Sequence, residues 1–181
     1  MKEATISRKS AFKGKLLKLD VLEVELENGL RARREIVRHP GAAVILPQLP
    51  DGRFVLVRQF RKAVETETLE VVAGTLGKGE NPDRCAVREL REETGYGVAK
   101  LIKLVVAFPA PGYTDERMHM YFAKLKPAKG TRCPDDDEKL DVVYRTELEI
   151  DRLVSRGRIG DAKTLASWAL YKSMVKGRRL R

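Results

Sequence analysis

The chain has 181 residues, 43% of them apolar, which is enough for one ordinary domain with a real core and excludes wholesale disorder. Thirty-six basic against 26 acidic residues leave a net charge of +10, which favours anionic partners such as nucleotides, nucleic acid or acidic lipid without choosing among them. No apolar run approaches the roughly 18 residues of a membrane span, residues 1–10 are too polar for a secretory leader, and two cysteines outside any metal spacing exclude a disulfide framework and a zinc site.

The expected address is therefore a reducing cytoplasm, with no membrane partner. Residues 15–37 read as strands. Leu17, Leu19, Val21, Val24 and Leu26 approximate alternation, Asn28-Gly29 is a hairpin turn, and 31–37 returns. This segment has no helix of its own and reads as a small separate antiparallel sheet, an N-terminal subdomain over 1–39 ahead of a main domain over 40–181. The apolar runs 42–46 and 54–60 flank Pro50-Asp51-Gly52 as a second hairpin, and 69–73 is a further short strand.

The chain then changes character. Asn81-Pro82-Asp83 supplies a capping side chain, a proline at the first helical position and an acid in the first turn, and the helix so started stops near Thr94, at Gly95. Strands follow at 101–108 and 118–125, then a polar, acid-rich loop over 126–139 and a last strand at 140–144. Two helices close the chain, one over 147–156 and one from Asp161 to about Val175. The class is α+β with a mixed sheet. Cys85 reads as a small buried side chain, Trp168, Leu165 and Leu170 as core, and His39 and His119 as isolated residues outside any ligand spacing.

On the helix that begins at Asn81, Glu89, Glu92 and Glu93 stand at i, i+3 and i+4 and share a face. Three like charges repel there unless a cation neutralises them, and carboxylate oxygens suit Mg²⁺ or Mn²⁺. The preceding Gly74-Thr75-Leu76-Gly77-Lys78-Gly79-Glu80 lets backbone approach a metal or anion closely. Without more, an exposed acidic face laced by Arg88 and Arg91 explains the glutamates as well.

The complete spacing is Gly74, five residues, Glu80, seven residues, then Arg88-Glu89-Leu90-Arg91-Glu92-Glu93-Thr94-Gly95. It resembles the signature of the Nudix hydrolases, with Tyr96 a mild departure from the family's aliphatic residue. The resemblance implies an α/β/α sandwich with a mixed sheet and hydrolysis of a nucleoside diphosphate linked to another group. It implies Glu89 and Glu93 as ligands of Mg²⁺ (or Mn²⁺), Glu92 as a further ligand or water contact, and the carbonyl of Ala73 beside them. Arg88 would pair with and orient the glutamates, and Glu80 would be a structural partner on the loop.

Residues outside this box resemble the ADP-ribose pyrophosphatase and nucleotide-sugar branch. They are Arg58-Gln59-Phe60-Arg61, Glu70-Val71-Val72-Ala73-Gly74, Pro109-Ala110-Pro111-Gly112 with Glu116, Asp161-Ala162-Lys163-Thr164, and Arg34-Glu35. That likeness implies a homodimer through the N-terminal sheet and a nucleotide-sugar substrate. Arg34 and Arg61 would be cations for the diphosphate or ribose, Glu35 would lie beside them, and Gly112 and Glu116 would line the sugar loop. It also implies a general base on the loop before the last strand, Glu138 with Asp136 as its rival. Leu16 and Leu17 stand where relatives stack an aromatic ring on the base, so relaxed base selection is expected. A Nudix hydrolase of free nucleotides or RNA 5′ ends, and a non-catalytic module sensing ADP-ribose, are the competing readings. Nucleic acid is the less expected partner, because neither a helix-turn-helix nor a zinc finger is visible.

Overall fold

The computed structural model describes residues 2–131 and 139–176, with side chains to residue 174. The chain divides into two compact units, residues 1–41 with 107–118, and residues 42–106 with 119–181.

The first unit is a three-stranded antiparallel sheet in the order β1 (Glu3–Lys13), β2 (Lys18–Leu26) and β3 (Arg31–Arg38). Strand β1 is not foreseen by the sequence reading. Its eleven residues carry no alternation because every one is exposed, so the period-two signal of a half-buried strand is absent. The later segment of this unit is tied to β3 by Val37 N–H donating to the Tyr113 carbonyl at 2.7 Å and Asp115 N–H donating to the Val37 carbonyl at 3.2 Å. Asp20, 1% exposed, accepts from Arg8 at 2.7 Å and Arg38 at 2.8 Å, and Arg38 also reaches Asp115 at 3.0 Å. The hydrogen bond from Arg38 and the nearby Arg8 outweigh burial and hold the Asp20 carboxyl below its usual range.

The second unit is a seven-stranded sheet. Its main path runs β10 (Leu140–Arg145), β5 (Phe54–Arg61), β4 (Ala42–Gln48), β9 (Met118–Lys129), β8 (Tyr96–Ala107), with β6 (Thr66–Glu70) on β5 and β7 (Val72–Thr75) on β4. The expected single strand at 69–73 is thus two strands broken at Val71, and β8 and β9 extend beyond the expected 101–108 and 118–125.

Strand pleat explains how this sheet is covered. Ala43 and Ile45 of β4 and Val55 and Val57 of β5 point one way and join Cys85, Ala86 and Leu90 of helix α1 (Pro82–Thr94). Phe54, of the opposite parity, meets Trp168 and Tyr171 of helix α3 (Ala162–Lys176) edge-on at 5.0 and 5.1 Å, and Phe122 lies 5.1 Å from Tyr171. The expected helix–sheet–helix layering follows. Helix α2 (Glu147–Ser155) starts with a capping box between Thr146 and Glu149 and is held to α3 by Trp168 Nε1 donating to Asp151 at 2.8 Å. Among the described residues no helix is long and apolar enough to cross a membrane.

Candidate active site

Helix α1 begins and ends where its sequence dictates. Asn81 accepts from the N–H groups of Asp83 and Arg84, Pro82 occupies the first turn, and Gly95 closes the helix at φ 78°, a left-handed conformation that any side chain would strain. Tyr96 is buried, and its hydroxyl lies 3.3 Å from that of Tyr144, so the departure from an aliphatic residue is absorbed by a polar partner.

Arg88 organises the acidic face. Its Nε and Nη2 donate to the two oxygens of Glu80, both at 2.9 Å, in a bidentate fork. Its Nη1 lies 2.7 Å from Glu89 and 2.9 Å from Glu92. One cation therefore ties the loop ahead of the helix to two successive turns of the helix. The hydrogen bond from Arg88, with another from the Gly77 N–H, holds the Glu80 carboxyl down at about 2. The same carboxylates push the Arg88 guanidinium further up from an already high value.

Gly74 stands directly against this face. A Cβ built there would lie 1.8 Å from Cδ of Glu89, so only glycine lets the strand pass so close to the carboxylate. Ala73, next to it in β7, pairs with Val44 of β4. Glu93 is 3% exposed, whereas Glu92 reaches solvent. Cys85, between the helix and β7, approaches the carbonyls of Gly74 at 3.8 Å and Thr75 at 3.7 Å, and burial pushes its thiol up to about 12.

Among the described residues no group of three or more His, Cys, Asp or Glu side chains forms a ready cage for a metal ion. The donor chemistry nonetheless fits a hard divalent cation. Glu89, Glu92 and Glu93 offer oxygen ligands on neighbouring turns, and the glycine at position 74 leaves backbone room beside Glu89. A cavity of about 840 Å³ runs along α1 and reaches the acidic face at Arg88 and Glu92, with Arg84, Val87 and Arg91 also in its lining. Glu89 and Glu93 lie outside its lining, and Glu89 stands against Gly74 instead.

A second network lies in the same unit and was legible only as separate sequence motifs. Glu70, 1% exposed, accepts from Arg61 Nε at 2.7 Å and Nη2 at 2.6 Å, from Lys163 at 2.5 Å and from the Thr68 hydroxyl. Burial alone would raise its carboxyl, but these donors prevail and hold it at about 2. Asp161 binds Lys163 at 2.8 Å and caps α3 through the Thr164 N–H at 2.9 Å, and the Thr164 hydroxyl accepts from Val71 N–H at 2.8 Å. Glu70 and Lys163 are 93 positions apart, so no local pattern announces the pair.

The remaining expected site residues fall as follows. Arg61 is not a free cation: two of its guanidinium nitrogens are bound to Glu70. Arg34, Glu35, Gly112 and Glu116 all belong to the first unit. There Arg34 grips Glu3 through Nε at 3.1 Å and Nη2 at 2.6 Å, Glu35 pairs with Arg33 at 3.2 Å, and Glu116 lies 3.8 Å from His39. Glu138 and Asp136 lie outside the described residues.

Comparisons with known proteins agree with this geometry. Residues 37–168 match the NUDIX domain model. An ADP-ribose pyrophosphatase of Bacillus subtilis is 41% identical over 91% of this chain and 89% of its own. A methanol dehydrogenase activator of Bacillus methanolicus is 40% identical over 90% of this chain and 89% of its own. A GDP-mannose pyrophosphatase of Yersinia enterocolitica is 33% identical over 71% of each chain. A solved ADP compounds hydrolase superposes with a TM-score of 0.86 over 99% of this chain and 98% of that one at 24% identity, a likeness of fold. With the box residues, the helix they sit on and these relatives in agreement, the chain belongs to the NUDIX domain family.

Proposed function

We propose that this chain hydrolyses the diphosphate bond of nucleoside diphosphate sugars, ADP-ribose first and GDP-mannose also, releasing a nucleoside monophosphate and a sugar phosphate. The observation that carries the reading is Arg88 binding Glu80, Glu89 and Glu92 at once beside Gly74. The pyrophosphatase relatives support the substrate class.

In the reaction a bond forms between a water oxygen and one phosphorus, the bridging oxygen leaves with the other phosphate, and one proton must be taken from the water. Glu89, Glu93, the Ala73 carbonyl and Glu92 would hold a divalent ion, Mg²⁺ with Mn²⁺ as the alternative. When bound, such an ion polarises phosphoryl oxygens and makes a water more acidic. Arg88 positions: it holds the loop and the glutamates in one register before substrate arrives. Glu138, with Asp136 as its rival, accepts the water's proton. Arg61, oriented by Glu70, and Arg34 serve as cations for the diphosphate or ribose, Glu35 beside Arg34 is a further substrate-binding residue, and Gly112 and Glu116 line the sugar loop.

The first unit makes the homodimer contact in this reading. The support is the exposure of all of β1, including Ile6 and Phe12, which a second copy would cover. Leu16 and Leu17, both exposed, give apolar contact without ring stacking and favour relaxed base selection. A reducing cytoplasm is the setting where such substrates and magnesium occur together.

The test is phosphate-coupled turnover of ADP-ribose, GDP-mannose, UDP-glucose, NADH and 8-oxo-dGTP with Mg²⁺, for wild type and Glu93→Gln. Cleavage of the first two is expected, with a loss of about 100-fold or more in the variant. Silence across the panel with ADP-ribose still bound would instead mark a non-catalytic sensor. A preference for ADP-ribose above about 100-fold, close to 3 kcal/mol, would rule out relaxed base selection.

A further inference from the structure

Four arginines converge where nothing in the family signature requires them. On α2 and its C-terminal cap, Glu149, Arg152, Leu153 and Arg156 stand at i, i+3, i+4 and i+7 and form one stripe. Arg145, the last residue of β10, and Arg158, just past the helix, complete the lining of a cavity of about 530 Å³. The turn carrying Arg158 is fixed, with Arg156 N–H donating to the Arg152 carbonyl at 3.1 Å and Arg158 N–H to that of Leu153 at 2.8 Å. Arg145 is steadied through Nη1, which donates to the Tyr144 carbonyl at 2.8 Å.

The charge of this lining is unbalanced: four arginines face one carboxylate. That carboxylate, Glu149, is engaged by the Thr146 N–H at 2.7 Å and the Thr146 hydroxyl at 2.8 Å. The Thr146 groups, and after them the charges of Arg145 and Arg152, hold the Glu149 carboxyl low, and the lining keeps a surplus of positive charge. Cations at a helix C-terminus are favoured by the helix dipole, which accounts for Arg152 and Arg156. It does not account for Arg145, which sits on a strand, or for Arg158, which lies beyond the helix.

We propose that this cavity is a second anion site, for a small molecule carrying two or more adjacent phosphate groups, separate from the box. Guanidinium forks match phosphate oxygens two at a time, and Leu153 offers an apolar wall for a ribose or base. Arg152, Arg156 and Arg158 are exposed and Arg145 is half-buried, so an anion reaches all four from solvent. The lining shares no residue with Glu80, Arg88, Glu89, Glu92 or Glu93, so the proposal stands whether or not the substrate assignment does.

The experiment is calorimetric titration of the full chain, without divalent metal, with inorganic pyrophosphate and with ATP. The proteins are wild type, Arg152→Gln/Arg156→Gln, Arg158→Gln and Glu93→Gln. Both arginine variants should melt as wild type does, turn over ADP-ribose at the wild-type rate and bind pyrophosphate about tenfold or more weakly. Glu93→Gln should bind it as wild type. ATP binding tighter than pyrophosphate would identify a nucleotide, and equal binding an inorganic or sugar-borne diphosphate. Unchanged pyrophosphate affinity in the arginine variants, or its loss in Glu93→Gln alone, overturns the proposal. So does single-stranded RNA that binds more tightly than either ligand and is released by the same arginine variants, because that would make the surface a nucleic-acid contact.

Discussion

Strands β1 and β4 are both regular, yet they are made in opposite ways. Six of the seven residues of β4 are buried, covered from both faces by side chains of α1 and α3. All eleven residues of β1 are exposed, and the polar anchor of its sheet is an ion-pair group around Asp20 rather than a packed layer. The second unit carries its own apolar core, whereas the first displays its strands. A three-stranded sheet with so little buried apolar surface has only a small margin of stability of its own.

The strongest way to break this contrast is to open the covered sheet. Phe54→Ala removes the ring that Trp168 and Tyr171 meet edge-on and should cost about 3–5 kcal/mol in urea unfolding. A loss no larger than that of a surface substitution would mean that the second unit does not depend on this layer.

Glu70→Gln probes the polar part of the same unit. It should cost about 3 kcal/mol at neutral pH, because Arg61 and Lys163 lose the charge they face. The pH dependence has a definite sign. The Glu70 carboxyl is held at about 2 against an ordinary 4.5, so its contribution is complete above the ordinary value and is lost as pH falls toward 2. Unfolding free energies of wild type and variant should therefore converge in acid. Parallel curves would show that Glu70 is not the titrating group.

The smallest effect sharpens the contrast from the other side. Phe12→Ser, at a side chain 60% exposed, should change unfolding free energy by no more than about 0.5 kcal/mol. It should nonetheless weaken self-association in sedimentation velocity. Unchanged association would remove Phe12 from the proposed dimer contact.

What could be read in advance followed the same division. Helix α1 announced its cap, its proline and its closing glycine, and the structure begins it at Pro82 and ends it at Thr94 as those residues require. The buried strands of the second unit announced themselves as apolar runs. Strand β1 did not, because a strand exposed on both faces has no hydrophobic period. Strand β9 runs on to Lys129 through Pro127, a residue that removes a ladder donor and so reads as a break. Within the site, structural roles for Arg88 and Glu80 were implied by the box resemblance, and the structure joins the two directly. That of Arg61 with Glu70 and Lys163 was not legible, since it joins distant segments through a single buried carboxylate.

Cys85 gives the box helix a built-in gauge of its own motion. Its sulfur sits between α1 and the carbonyls of Gly74 and Thr75, and with the thiol at about 12 almost none is thiolate at neutral pH. The side chain is fully buried, so an alkylating reagent should reach it only when the helix lifts from β7. In a Cys133→Ser background the labelling rate thus counts those openings, and any ligand that clamps β7 against α1 should slow the clock.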